Sequence, residues 1–305
     1  MTKVWHAYNS MNNSKSWAMI NWLRTDDLVV NDDREIANVL GKQFSQVSSN
    51  SNYDPIFYRD VLTRTDSLPY YPSQRREECD ELPINLPFSY DEFTVALGHR
   101  KSTAPGQDEI CYPMVTNLSK PCQNKLLGIL NDLWKKGVCP ETWRHSIIIP
   151  LLKYGKPPQK PSSYWPICLT SVLCKLMERM ITKRLKWFLE NTELLHPAQC
   201  GFRSKRSTKD CLMRLHDDIY KSISNRRFSV AIFLDLEKAY DMVWRNGLLH
   251  KLRKLGIRGN ILSRIDSFLQ SRTFQVRVGS TLSNTFTQEN GIPKDRFLAQ
   301  SCFLL

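Results

Sequence analysis

The sequence lacks the features of a membrane-spanning, secreted or zinc-finger protein. None of its apolar runs approaches the roughly 18 residues needed to cross a bilayer, and its opening MTKVWHAYNSMNNSKSWAMI has no continuous apolar centre of the signal-peptide kind. Its nine cysteines form no CxxC pair and no Cys/His cluster at zinc-finger spacing, and their number is odd. They read as reduced thiols in an intracellular protein, nuclear or cytoplasmic. There is no internal repeat and no long low-complexity tract.

What is present is ordinary globular material. With 305 residues, 41% hydrophobic and 24% charged, the chain is long enough for roughly two domains of about 150 residues. The net charge of +13 is unevenly spread. Residues 1–94 hold 9 Lys and Arg against 14 Asp and Glu, a net of −5, so residues 95–305 carry a net of +18. A half this basic suits a polyanion, because each phosphate it neutralises releases counterions. A merely well-solvated basic surface is the alternative on charge alone.

The pattern of elements is mixed. DDREIANVLGKQF places Ile36, Val39, Leu40 and Phe44 on one helical face, and the polar SQVSSNSNYD after it reads as a linker or mobile loop. SYDE, Ser89 to Glu92, fits a capping box ahead of a helix, and a domain boundary is placed near residue 85. Downstream come an amphipathic helix stopped by Gly137, a strand in RHSIIIPLLK ending at Lys153, and a Pro-rich loop GKPPQKPSSYWP. A long helix in SVLCKLMERMITKRLKWFLE, another from Ser207 to about Ser224, and two short helices near GLLHKLRKLGI and GNILSRIDSFLQ follow, with strands in FSVAIFL, TFQVRVG and NTFTQENGI. Helices mixed with separate strand pairs read as an α+β fold.

FSVAIFLDLEKAYDMVW, Phe228 to Trp244, carries the chemistry. It reads as a buried strand ending in a carboxylate, Asp235, with Glu237 and Asp241 behind it. A strand-end Asp suits one arm of a two-magnesium site for phosphoryl transfer, where convergent carboxylates hold ions about 3.5–4 Å apart. The local string by itself favours the plainer role, a cap for the helix that follows.

The wider pattern resembles the reverse transcriptase domain of non-LTR (LINE-type, jockey-like) retrotransposons. The resemblance runs in order from about Phe88 to the last residue through KSTAPGQDEI, WRHSIIIPLLKYGKPPQKPSSYWPICLTSVLCKLMERMITKRL, QCGFRSKRST, FLDLEKAYDMVWRNGLLHKL and GIPKDRFLAQSCFLL. It implies a right-hand polymerase, with fingers and the first half of a palm over 86–305 and a linker or helical segment over 1–85. It also implies RNA-templated addition of deoxynucleotide triphosphates to a DNA primer with Mg2+. Asp235 would be the first metal ligand, with the Leu236 carbonyl beside it. Tyr240 would lie under the incoming sugar, Lys153 would hold the triphosphate, and Arg203 would join the nucleotide or nucleic-acid contacts.

Departures from that pattern are equally specific. Trp165 stands where the family places a triphosphate-gripping arginine, and Lys294 and Asp295 stand where it has Gln and Gly. Gln107 and Glu109 replace its usual Pro and Gly. The family's [YF]ADD pair, expected downstream of the GIP segment, does not occur in the sequence. The expectation is therefore weakened or lost Mg2+ binding and no turnover by this polypeptide alone. A non-catalytic nucleic-acid-binding remnant and a decayed element copy are the alternatives.

Overall fold

Periodicity sets the first long element. In Asp33–Val47, Ile36, Ala37, Leu40 and Phe44 recur every three or four residues and are all buried, which makes helix α1 with that stripe turned inward. Asp32 caps it, its carboxylate accepting from the amides of Arg34 and Glu35. The computed structural model describes residues 20–25, 28–67, 82–98 and 104–292. A small hairpin, β1 (Leu23–Arg24) and β2 (Val29–Val30), precedes α1, and α2 (Pro55–Ser67) follows it.

The expected capping box is formed: Ser89 Oγ accepts the Glu92 amide and the Glu92 carboxylate accepts the Ser89 amide at 2.9 Å, starting α3 (Tyr90–Leu97). Then come α4 (Tyr112–Thr116), α5 (Lys120–Lys136), which ends at Gly137 as expected, and α6 (Glu141–Arg144). Strands β3 (His145–Leu152) and β4 (Tyr164–Leu169) lead to α7 (Val172–Asn191) and α8 (Thr208–Ser224). The last elements are α9 (Arg245–Lys254), α10 (Asn260–Leu269), β5 (Thr273–Val278), β6 (Thr281–Leu282) and β7 (Phe286–Thr287).

The sheet is mixed, in the order β4-β3-β5-β6, with β7 also on β5. β3 runs antiparallel to β4, from Ile147 opposite Leu169 to Leu152 opposite Tyr164, and parallel to β5, from His145 opposite Thr273 to Ile148 opposite Val276. The end of the Pro-rich stretch is thus strand and not loop, which corrects the reading of Tyr164–Pro166. It is tolerated because β4 is an edge strand and Pro166 faces Pro150, a pair in which neither residue has an amide to donate.

An apolar cluster lies on each face of this sheet, the smaller made of Ile147, Ile149 and Leu169, and a larger core lies among the helices. Ile148, Phe274, Val276 and Val278 on one face meet the α1 stripe. On the helical side α7 is the axis, its Leu176, Met177, Met180, Ile181 and Leu185 packed among Phe93, Trp134, Leu252 and Ile265. The acidic stretch before residue 85 therefore shares a core with the sheet. The polar stretch after α1 is pinned too, contrary to the reading of a mobile loop: Asn50 donates its amide to Glu289 at 2.8 Å and Tyr53 donates its hydroxyl to Met242 O at 3.0 Å.

The expected strand ending at Asp235 is not formed. Residues 227–236 run without regular structure, and Phe228, Val230, Ile232, Phe233, Leu234 and Leu236 are exposed. An isolated strand leaves its amides and carbonyls unpaired, and among the described residues this run pairs with none of β3 to β7. Helix α8, just before it, is amphipathic yet buries no residue. The expected strand in NTFTQENGI shrinks to Phe286–Thr287.

Arg184 ties the 84–92 segment to α7. Its guanidinium donates to both Glu92 carboxylate oxygens at 2.7 Å, to Pro87 O at 2.9 Å and to Leu86 O, and it lies over the Phe88 ring at 4.2 Å. Burial alone would raise the Glu92 carboxyl, but the bonds from Arg184 and Ser89 outweigh it and hold Glu92 below the ordinary carboxylate value. A depressed folded pKa stabilises above the unfolded value of about 4.3, and the contribution fades as pH falls through the lower folded value. Arg184→Ala is expected to cost about 2–4 kcal/mol in urea unfolding at neutral pH. It should also flatten the loss of stability below about pH 4.3. A variant as stable as the parent, with the same acid limb, would contradict this role.

Candidate functional site

Three stretches far apart in the chain meet at the turn that follows Asp235. The amides of Asp241 and Met242 bond back to Lys238 O at 2.9 and 3.0 Å. From the C-terminal side, Gly291 N–H donates to Val243 O at 3.0 Å and Ile292 N–H to Tyr240 O at 2.8 Å. From the N-terminal side Tyr53 reaches Met242 O, and Asn290 Nδ2 closes the ring by donating to Ser48 O at 3.1 Å and Asn50 Oδ1 at 2.7 Å. Arg245 completes the clamp, donating Nε to Gly291 O at 2.9 Å and a terminal nitrogen to Asn290 O at 3.1 Å. Burial, then the charge of Arg272, pulls its pKa down to about 10, so it stays protonated at neutral pH.

Gly291 explains why the backbones come so close. Its φ is 77°, and a Cβ there would collide with the carbonyl oxygens of Tyr240 and Asp241. Gly106 does the same for the leading segment, where a Cβ would collide with Thr170 and the Ser171 amide at the start of α7. Three residues on, Glu109 holds a φ of 55°, in the left-handed region that glycine occupies freely. That is the position at which the resembled family has glycine.

The sequence-derived site residues stand in different surroundings. Asp235 and Leu236 lie exposed on the unpaired run. Tyr240 is half-buried against the helical core, and that burial raises its hydroxyl above the usual phenol value. Lys153, by contrast, folds onto its own loop, Nζ donating to Ser162 O at 2.7 Å. Arg203 is engaged by both oxygens of Glu190 at 3.1 and 2.6 Å and by His196 O at 3.1 Å. Trp165 stands half-exposed on edge strand β4 opposite Leu151. Lys294 and Asp295 lie outside the described residues. Among the described residues no group of three or more His, Cys, Asp or Glu gathers as a metal site.

Sequence reasoning missed Tyr53, Asn290 and Arg245. Arg245 carried a signal: it opens α9, where the helix dipole disfavours a cation unless nearby carbonyls hold it. Gly291→Ala should destabilise the protein by about 2 kcal/mol or more, because the strained φ and the collision add. Thermal unfolding checks this, and an unchanged midpoint would show that the clamp is not closed.

Residues 154–294 match the family model for reverse transcriptase (RNA-dependent DNA polymerase). The probable RNA-directed DNA polymerase from transposon BS of Drosophila melanogaster is 32% identical over 218 residues, covering 71% of this chain and 24% of that protein. The RNA-directed DNA polymerase from mobile element jockey of Drosophila melanogaster is 32% identical over 200 residues, 66% of this chain and 22% of that protein. A retrovirus-related Pol polyprotein from type-1 retrotransposable element R2 of Popillia japonica is 28% identical over 193 residues, 63% and 26% respectively. The chain thus spans about a quarter of the length of these relatives. Residues 154–294 carry the match to the reverse transcriptase family, and the relatives of which the chain spans a fragment are RNA-directed DNA polymerases of non-LTR retrotransposons.

Proposed function

We propose that the chain is the fingers and first part of the palm of a right-hand RNA-directed DNA polymerase, and that by itself it binds RNA template and DNA primer without turning over deoxynucleotide triphosphates. The observation that carries this reading is the pair of main-chain bonds from Gly291 and Ile292 to Val243 and Tyr240. They seat the GIP segment against the turn after Asp235, as a nucleotide pocket built from both would require. The division near residue 85, upstream linker against polymerase, would be one of ancestry, since α1 packs on the sheet and shares its core.

In the working polymerase Asp235 would be a metal ligand with the Leu236 carbonyl, Tyr240 would contact the incoming sugar, and Lys153 and Arg203 would bind phosphate after leaving their present partners. Asp235 and Leu236 offer a Mg2+ ion two protein oxygens, a number such an ion accepts when waters and substrate phosphates complete its shell. They do not make a two-ion centre, which needs convergent carboxylates on rigid elements. Asp235 stands on an unladdered run, which would not hold an ion in a fixed position. Trp165, neutral where the family has a bidentate cation, favours the second reading, a non-catalytic nucleic-acid-binding remnant or decayed copy. Among the described residues no helix is long and apolar enough to cross a membrane, and a compartment holding RNA and DNA, nucleus or cytoplasm, fits the substrates.

Primer extension on an RNA template with Mg2+ decides between turnover and its absence. The expected result is no templated synthesis above the level of Asp235→Ala, with primer–template binding that weakens steeply with salt and ignores that substitution. Robust magnesium-dependent synthesis that disappears in Asp235→Ala would overturn the absence of turnover. Absent or salt-insensitive binding would overturn the nucleic-acid role.

A further inference from the structure

A groove of about 900 Å³ lies between α1, the β1 hairpin and the Pro-rich loop before β4. Among the described residues its lining carries three cations, Arg24, Lys42 and Lys160, and no carboxylate. Trp22 stands at its wall with 41% of its surface exposed, a large area for an indole to leave in water. The glutamines Gln43 and Gln46 add neutral donors and acceptors. The two walls are joined, since the Arg24 amide donates to Gln159 O at 2.7 Å, and the prolines of the 157–161 loop restrict its backbone.

The cations are informative because of where they sit. Arg24 and Lys42 belong to the acidic first 94 residues, whose net charge is −5. Cations gathered on one groove from such a segment make a localised positive site rather than part of a diffuse basic surface. Phosphates spaced along a flexible backbone match separated cations, and an exposed indole offers a face on which any base can stack. An acidic peptide would use the cations but leave the indole unexplained, and a duplex is too stiff to present an unstacked base to it.

We propose that this groove holds a segment of single-stranded RNA, with its phosphates on Arg24, Lys42 and Lys160 and a base on Trp22. The inference rests on the reading of the chain as a nucleic-acid polymerase fragment and gives that reading a template-strand site away from Asp235.

The test uses the full chain and a fluorescein-labelled oligouridylate, with binding followed by anisotropy at several salt concentrations. The double substitution Lys42→Glu/Lys160→Glu should weaken binding at least about tenfold and lower the salt slope by roughly 1.4, about 0.7 for each lost phosphate contact. Trp22→Ala should weaken it about 5- to 100-fold with the slope unchanged, since stacking releases no counterion. Thermal melts identify any variant that does not fold. Crosslinking of the parent chain to a 4-thiouridine oligonucleotide, with adducts expected in peptides spanning 20–25 or 156–162, is independent of the variants. Unchanged affinity and slope in both variants, crosslinks confined elsewhere, or equal competition by duplex DNA would overturn the groove. If the parent still binds primer–template in those cases, the polymerase reading stands without it. If the parent binds neither oligouridylate nor primer–template, both fall.

Discussion

A β-strand is held by pairing along its edges, and in this chain β3 is paired on both sides over part of its length. β4 pairs along one from residue 147 to 152, and β5 takes the other from 145 to 148. The run from Phe228 to Leu236 has the composition of a buried strand, yet among the described residues it pairs with no other strand. Much of the rest follows from that constraint. The apolar side chains of the run stay in water, α8 before it buries nothing, and the carboxylate of Asp235 is left at the end of a segment that no sheet holds rigid.

What order exists near Asp235 begins immediately after it. The 237–243 turn is gripped by main-chain bonds from 291–292, by Tyr53 and by the Asn290–Arg245 pair. These contacts join residues some 240 positions apart, Ser48 and Asn290 among them. A carboxylate that positions an ion needs its backbone fixed on both sides. Here the C-terminal side is fixed and the N-terminal side is not, so Asp235 is not preorganised to hold one.

The helices were legible in the sequence because their signals are local. The Ser89 box, the Gly137 stop and the stripe of α7 are each settled within a few residues, and the structure reproduces them. The strands were less so. β3 and β5 were readable, but β4 was hidden by Pro166, whose acceptability depends on an edge position and on Pro150 across from it. FSVAIFL was misread for the converse reason: strand propensity is satisfied only by a partner, and partners are not written in the segment. At the candidate site, Asp235 and Tyr240 are named by the family resemblance alone. The clamp could not be named, since Tyr53, Asn290 and Arg245 act through backbone carbonyls that no motif records.

Hydrogen exchange read residue by residue tests the central claim most directly. The amides of 230–236 should exchange near the unprotected rate, while those of Met242, Gly291 and Ile292 exchange slower by on the order of a hundredfold or more, as closed hydrogen bonds require. Protection of 230–236 equal to that of Ile148 in β3 would contradict the account, because it would mean that the run is laddered after all.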